Sequence, residues 1–376
     1  MARYDFLIVG AGLFGATCAR LLTNKGYKCL IIEKKSYVGG LAATRREFDI
    51  DVHLYGPHVF HTNDTEVWEF VNKYAQFNDY KHTIMALSNN KMYHFPVNMN
   101  TFYEIHNVKT PKEAKDIVEK DKIKYNVSKP VNLEEQAITT CGYNIYDKLI
   151  KGYSEKLWGL DAKEINLTVF KDIPIRYTYN NLYYDDVYQG VPVNGYTKLV
   201  EDIIGEDIDI MLNTDYLDKR DKLDKLATYV IVSGPIDRFC NYVYGPLKWR
   251  SLDIRIQNDT LSGSNLIGTS VLNICDKDNP ILQIVENKWF TPEREYLSDD
   301  FKNNTIISYI SATDWTPDKE PMYPVNTVES EEILDKYIEF TKENFPNFVF
   351  GGRSGIYRPM NMSQTIRMAL DLCSSL

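Results

Sequence analysis

Apolar residues run almost unbroken from Tyr4 to Val9, the pattern of a strand buried on both faces of a parallel sheet. Gly10-Ala11-Gly12-Leu13-Phe14-Gly15 follows, then a helical stretch through Leu22 that Gly26 ends. A second apolar run from Lys28 to Ile32 closes in Glu33, so the pattern predicts strand, glycine turn, helix and strand in about thirty residues. Residues 63 to 160 are more charged and helix-like. Between Asn132 and Trp158 there is no proline, and Leu133, Ala137, Ile138, Ile145, Leu149 and Ile150 recur near helical spacing. From 174 to 260 the chain turns strand-rich, with Gly and Pro punctuation at 190–196 and 234–246. The last fifty residues predict a charged helix over 329–343, a strand at Phe348-Val349-Phe350, a turn at Gly351-Gly352-Arg353 and a final helix after Asn361. No internal repeat is visible.

Composition narrows this picture. The 376 residues leave room for two domains, or for one carrying a large insertion. The net charge of -9 argues against non-specific nucleic-acid binding, which needs Lys and Arg to neutralise phosphates. Cys18, Cys29, Cys141, Cys240, Cys275 and Cys373 are scattered without a C-x-x-C pair, and read as small core residues in a reducing compartment. No apolar run reaches the length of a membrane span, and Met1-Ala2-Arg3-Tyr4 leads straight into the first strand. The expected location is the cytoplasm, so the sequons at Asn166 and Asn303 carry no expectation of glycosylation.

The glycine turn carries the first chemistry. G-x-G-x-x-G is a weak signal alone, but here it follows a strand, opens a helix and precedes an acidic residue, Glu33, at the end of the next strand. Gly10 suits the tight turn, Gly12 admits the pyrophosphate to the backbone, and Gly15 permits close helix–strand packing. The helix N-terminus favours the phosphate charge, and Glu33 accepts hydrogen bonds from the ribose. Gly39-Gly40 and the late Phe350-Gly351-Gly352-Arg353 turn favour FAD over NAD, since a simple NAD domain has no use for a C-terminal return. The expected fold is α/β: a Rossmann-like FAD-binding domain with an inserted helical domain and an antiparallel β-sheet domain. The expected boundaries are 1–62 plus about 195–240 and 345–376 for the FAD-binding domain, and 63–172 for the mainly helical one. Residues 173–194 plus about 241–344 complete the β-sheet substrate domain.

Longer motifs are more specific. Tyr55-Gly56-Pro57-His58-Val59-Phe60-His61-Thr62-Asn63-Asp64, Phe95-Pro96-Val97-Asn98-Met99-Asn100-Thr101-Phe102 and Leu133-Glu134-Glu135-Gln136-Ala137 fall in order along the chain. Lys151-Gly152-Tyr153-Ser154-Glu155-Lys156-Leu157-Trp158-Gly159, Tyr188-Gln189-Gly190-Val191-Pro192 and Gly195-Tyr196-Thr197-Lys198-Leu199 follow. Gly234-Pro235-Ile236-Asp237 and Tyr323-Pro324-Val325-Asn326 complete the series. Together they resemble the bacterial UDP-galactopyranose mutase family across essentially the whole chain.

That resemblance implies a flavin-dependent isomerase that interconverts pyranose and furanose forms of an activated sugar for cell-surface polysaccharide. In the family, N5 of reduced FAD attacks the anomeric carbon and displaces the nucleoside diphosphate, with no net redox change. It also implies an external reductant such as NAD(P)H and, commonly, a homodimer. On the cofactor side Phe14, Glu33, Lys34, His58, Val59 and Arg353 match, joined by Gly10, Gly12, Gly15, Gly40 and Met362; Leu41 stands where the family usually has Asn. Tyr153, Ser154, Trp158, Tyr183, Asn273 and Tyr323 match sugar and nucleotide contacts. A metal site at His53, His58 and His61 is the rival reading of the H-x-x-H spacing, disfavoured by the missing carboxylates.

The sequence departs from the family where the diphosphate is held. Lys-Arg-Ile-Pro becomes Lys171-Asp172-Ile173-Pro174, and Pro-Tyr-Thr-Arg-Ile becomes Pro280-Ile281-Leu282-Gln283-Ile284. Tyr-Tyr-Asp-Met becomes Pro359-Met360-Asn361-Met362, and a family Asn becomes His82. Gln283 keeps hydrogen bonding but loses the bidentate, charge-assisted mode. Two explanations stand open: another cation, with Arg358 first and Arg176 and Lys171 behind it, or a different substrate. Two rivals share the fold, an FAD-dependent amine-oxidase-like oxidoreductase and a non-catalytic sugar- or nucleotide-binding paralogue.

Overall fold

A computed structural model of the chain describes residues 3–167, 169, 173–259 and 265–376. Two large sheets organise them. The first has five parallel strands in the order Phe348–Phe350, Ala227–Val232, Tyr4–Val9, Cys29–Ile32 and Asp209–Met211. Its central strand is buried as the apolar run predicted: Leu7 and Ile8 expose no surface, and Leu7 pairs with Leu30 and Val230. The helix Leu13–Asn24 packs on one face together with the C-terminal helix Met362–Ser375, whose Ile366 and Ala369 are fully buried.

The second sheet has seven strands in the order Tyr323–Pro324, Trp249–Asp259, Thr305–Asp314, Gln283–Glu286, Val271–Ile274, Ile84–Ser88 and Lys91–Phe95. All its pairings are antiparallel except the one between Val271–Ile274 and Ile84–Ser88. Two of these strands arise inside the stretch 63–172 that was expected to be mainly helical. Ile84, Ala86 and Ser88 are buried while Met85 and Leu87 are half-buried, a period of two. Asn89 and Asn90, both in the left-handed region, turn the chain back as a hairpin.

The rest of that stretch is helical. Leu133–Cys141, Tyr143–Ile145, a π-helical turn at Tyr146–Lys151 and Gly152–Trp158 follow one another with Gly142 as the single break. Two small two-stranded ribbons, Thr44–Glu47 with Ile50–His53 and Phe60–Thr62 with Tyr188–Gly190, lie in the connections between the large sheets. Residues 173–187, expected among the strand-rich block, form no named strand. All six cysteines are free and buried. Among the described residues, no helix is long and apolar enough to cross a membrane.

Candidate active site

A single cavity of about 830 Å³ runs from the glycine turn to the seven-stranded sheet. At its first end the geometry is set by backbone. Gly10 N–H donates to Ile32 O at 2.8 Å, and Gly12 precedes the first helix with no side-chain cap, which leaves the helix N-terminus to the cavity. Gly15 does not line the cavity; it lets the helix approach the strand. A Cβ there would lie 2.1 Å from Gly10 O. Gly39 N–H donates to Ala11 O at 2.9 Å, so the Gly39-Gly40 turn abuts the first glycine loop, with Gly40 and Leu41 lining the cavity.

The C-terminal return reaches the same place. Phe14 lines the cavity against Gly351 and Gly352, and a Cβ on Gly351 would fall 2.0 Å from Phe14 Cζ. Glu33 is buried and accepts from Ala11 N–H and Lys35 N–H, both at 2.8 Å. Each of its oxygens keeps a second lone pair for a ribose hydroxyl. Lys34, Val59 and Met362 line the wall as well.

Charge is arranged unevenly along the wall. Lys34 and Lys35 pair with Glu320 at 3.0 and 3.2 Å, Arg238 with Asp215 at 2.6 Å, and Lys319 with Asp253 at 3.1 Å. Arg353 differs. Among the described residues it has no carboxylate within ion-pair distance; it donates to Met360 O at 2.7 and 3.1 Å and to Met322 O at 3.1 Å. Burial lowers its pKa, opposed by the neighbouring Tyr323.

Beside Arg353 stands His58. Its Nδ1 lies 2.7 Å from Gly56 O, which makes Nδ1 the protonated nitrogen and leaves Nε2 with a free lone pair. Burial drops its pKa to about 4, and Arg353 pushes the same way, so the ring is neutral at ordinary pH. His53 and His82 are likewise pushed down by burial to about 3. The rings of the H-x-x-H pair turn to different partners: His61 Nδ1 faces Asp186 at 2.8 Å.

The far end is neutral and aromatic. His82, Tyr153, Ser154, Tyr183, Asn273, Gln283 and Tyr323 all line it. Asn273 and Gln283 are cross-strand neighbours, and Gln283 Nε2 donates to Asn273 Oδ1 at 3.0 Å. Burial raises the phenol pKa values of Tyr153 and Tyr323, which keeps both hydroxyls as donors.

Two expected substrate residues lie elsewhere. Trp158 does not line the cavity; its half-buried ring stands edge-on to Tyr323, 6.4 Å between centroids. Arg358 is also outside, because Glu331 engages it at 2.7 Å on both guanidinium nitrogens. Arg176, second in line, pairs with Asp185 at 2.8 Å and donates to Leu182 O. Lys171 and Asp172 lie outside the described residues. The sequence reading missed Lys35, Asp215, Arg238 and Glu320, whose pairings join residues far apart in the chain.

The family profile described as UDP-galactopyranose mutase matches residues 148–359, and that of an NAD(P)-binding Rossmann-like domain matches 8–74. The chain belongs to the UDP-galactopyranose mutase family. It is 34% identical over 381 residues to dTDP-fucopyranose mutase of Escherichia coli, covering 98% of this chain and 97% of that one. It is 33% identical over 376 residues to a probable UDP-galactopyranose mutase of Klebsiella pneumoniae, covering 98% and 94%. The crystal structure of a reduced UDP-galactopyranose mutase shares its fold, with a TM-score of 0.72 at 14% identity over 100% of this chain and 94% of that one. The chain is accordingly an isomerase of the nucleotide-sugar mutase type, built on a mixed α/β Rossmann-like fold.

Proposed function

We propose that this chain is an FAD-dependent mutase, active with reduced flavin, that interconverts the pyranose and furanose forms of a nucleotide-linked sugar. The observation that carries the reading is the continuity of one cavity from a dinucleotide cradle, past a half-buried Arg353 with no carboxylate partner among the described residues, to an end of tyrosines and amides. The cradle suits FAD: an uncapped helix N-terminus for the pyrophosphate, Glu33 for the ribose, and a close approach in which a Cβ on Gly40 would lie 3.0 Å from Gly12 Cα. Bound and reduced, the cofactor supplies an electron-rich ring nitrogen as nucleophile.

The chain's own residues do the rest. His58 presents a neutral Nε2 as an acceptor, and Arg353 offsets negative charge beside it. Tyr153 and Tyr323 donate to sugar or phosphate oxygens, with Asn273 and Gln283 fixing orientation. Glu320 ties the segment 315–323 to Lys34 and Lys35, holding it over the cavity against water.

The substrate is UDP-galactose or a related nucleotide sugar, with dTDP-fucose the second candidate because relatives of each name are equally near. In the test, FAD-loaded, chemically reduced protein is incubated with each pyranose under nitrogen, and products are separated by chromatography. A furanose from one of them supports the reading. No furanose from either sugar rejects both named substrates.

A further inference from the structure

Lys156 lies on the helix Gly152–Trp158, three residues after Tyr153, yet it does not line the cavity. Its Nζ instead donates to three carbonyls: Ile274 at 2.8 Å, Asn279 at 3.0 Å and Ile281 at 2.8 Å. All three belong to residues 274–282, the end of the strand Val271–Ile274 and the turn that leads to Gln283–Glu286. An ammonium has three protons, and here each finds one carbonyl of a single turn. The same helix meets that turn through Gly152, where a Cβ would lie 2.2 Å from Cys275 O. Arg250 holds the helix's other end, donating to Lys156 O at 2.9 Å and Leu157 O at 2.7 Å.

We propose that Lys156 is a positioning residue: its ammonium fixes the 274–282 turn and, through it, the register of the Asn273–Gln283 pair against Tyr153 and Ser154. The assignment rests on the mutase reading, which makes that pair a substrate contact. Charge-assisted bonds to a turn of otherwise neutral carbonyls are the element that titrates. Burial brings the Lys156 pKa down to about 8, opposed by Cys275 and Asp276 of the turn. The other charged groups around it are already engaged. Glu155 of the same helix pairs with Lys277 of the turn at 2.7 Å, Arg250 of the long strand pairs with Asp314, and Asp276 accepts from Asn89 N–H and Ser88 Oγ.

Deprotonation therefore has two opposite consequences. Above a pKa depressed in the fold, the unfolded chain binds more protons, so this group makes the fold more stable as pH rises from about 8 towards its ordinary value. Positioning is lost over the same range, because a neutral amine has two donors for three carbonyls. A purely structural lysine moves stability alone.

The test is KM and kcat for the turned-over nucleotide sugar, with flavin absorbance monitoring occupancy. In the wild type, KM rises about tenfold between about pH 7 and about pH 9.5 while kcat holds. Lys156→Met shows the raised KM at every pH, and Lys156→Arg keeps the low KM to higher pH. A flat wild-type KM overturns the assignment, as does a Lys156→Met protein of normal KM that is merely less stable. Wild-type protein that turns over neither sugar rejects both named substrates, and this assignment with them; turnover with unchanged KM rejects this assignment alone.

Discussion

The glycine-lined end of the cavity is shaped by backbone, whereas the tyrosine-lined end is shaped by side chains brought from distant strands and helices. At the first end, Gly15 and Gly351 are defined by what cannot be there: a Cβ would fall 2.1 Å from Gly10 O and 2.0 Å from Phe14 Cζ. At the second, Asn273, Gln283, Tyr153 and Tyr323 come from three separate strands and one helix. The cofactor end is therefore rigid and intolerant, while the substrate end can be re-specified by exchanging side chains on fixed strands.

The largest expected effect follows from the intolerant end. Gly15→Val forces the first helix off the central strand and should leave protein that no longer retains FAD, read as loss of flavin absorbance after gel filtration. Retained yellow colour would place the cradle elsewhere. Acid comes next, through the three histidines that line or adjoin the junction. His53, His58 and His82 have folded pKa values pushed below their unfolded value, so their neutrality stabilises the fold above about pH 6.5. That contribution is lost as pH falls toward about 4 and about 3. Thermal melts should show Tm dropping steadily below pH 6.5; a level Tm down to pH 4 contradicts their burial as neutral rings.

Arg353→Met removes a charge that has no carboxylate partner among the described residues. Anionic reduced flavin should lose more affinity than oxidised flavin, lowering the two-electron midpoint potential by about 30 mV for each tenfold difference. An unchanged potential would move Arg353 away from the flavin. Gln283→Arg sharpens the comparison from the other side: nucleoside diphosphate should bind about tenfold more tightly and with greater salt sensitivity, measured by calorimetry. The smallest effect is Arg358→Ala. With its guanidinium held by Glu331 outside the cavity, nucleotide affinity should not change, and stability should fall by about 0.5 kcal/mol or less.

Local structure was legible in the sequence and pairing across the chain was not. The glycine loop, Glu33 and the C-terminal return follow from spacing, because steric limits on a turn are written in adjacent residues. Arg353 and Arg358 are both arginines in the same late segment. The motif match put Arg353 on the cofactor side and left Arg358 as a candidate cation; the structure shows Glu331 occupying Arg358 from 27 positions away, while nothing acidic reaches Arg353 among the described residues. The hairpin Ile84–Phe95 was hidden for a different reason. Its strands are five residues each, and the Asn89-Asn90 turn lacks the glycine that marks most such hairpins. Trp158 carried a family motif, yet Leu157 is the residue that reaches the cavity.

The central claim is that a flavin and a sugar share one cavity in a reaction without net electron transfer. The direct measurement is the number of sugar molecules interconverted per reducing equivalent, with flavin oxidation state followed anaerobically. The account predicts many turnovers from a single reduction, with the flavin reduced throughout. A substrate that itself reduces oxidised flavin, with one product per electron pair, would contradict it.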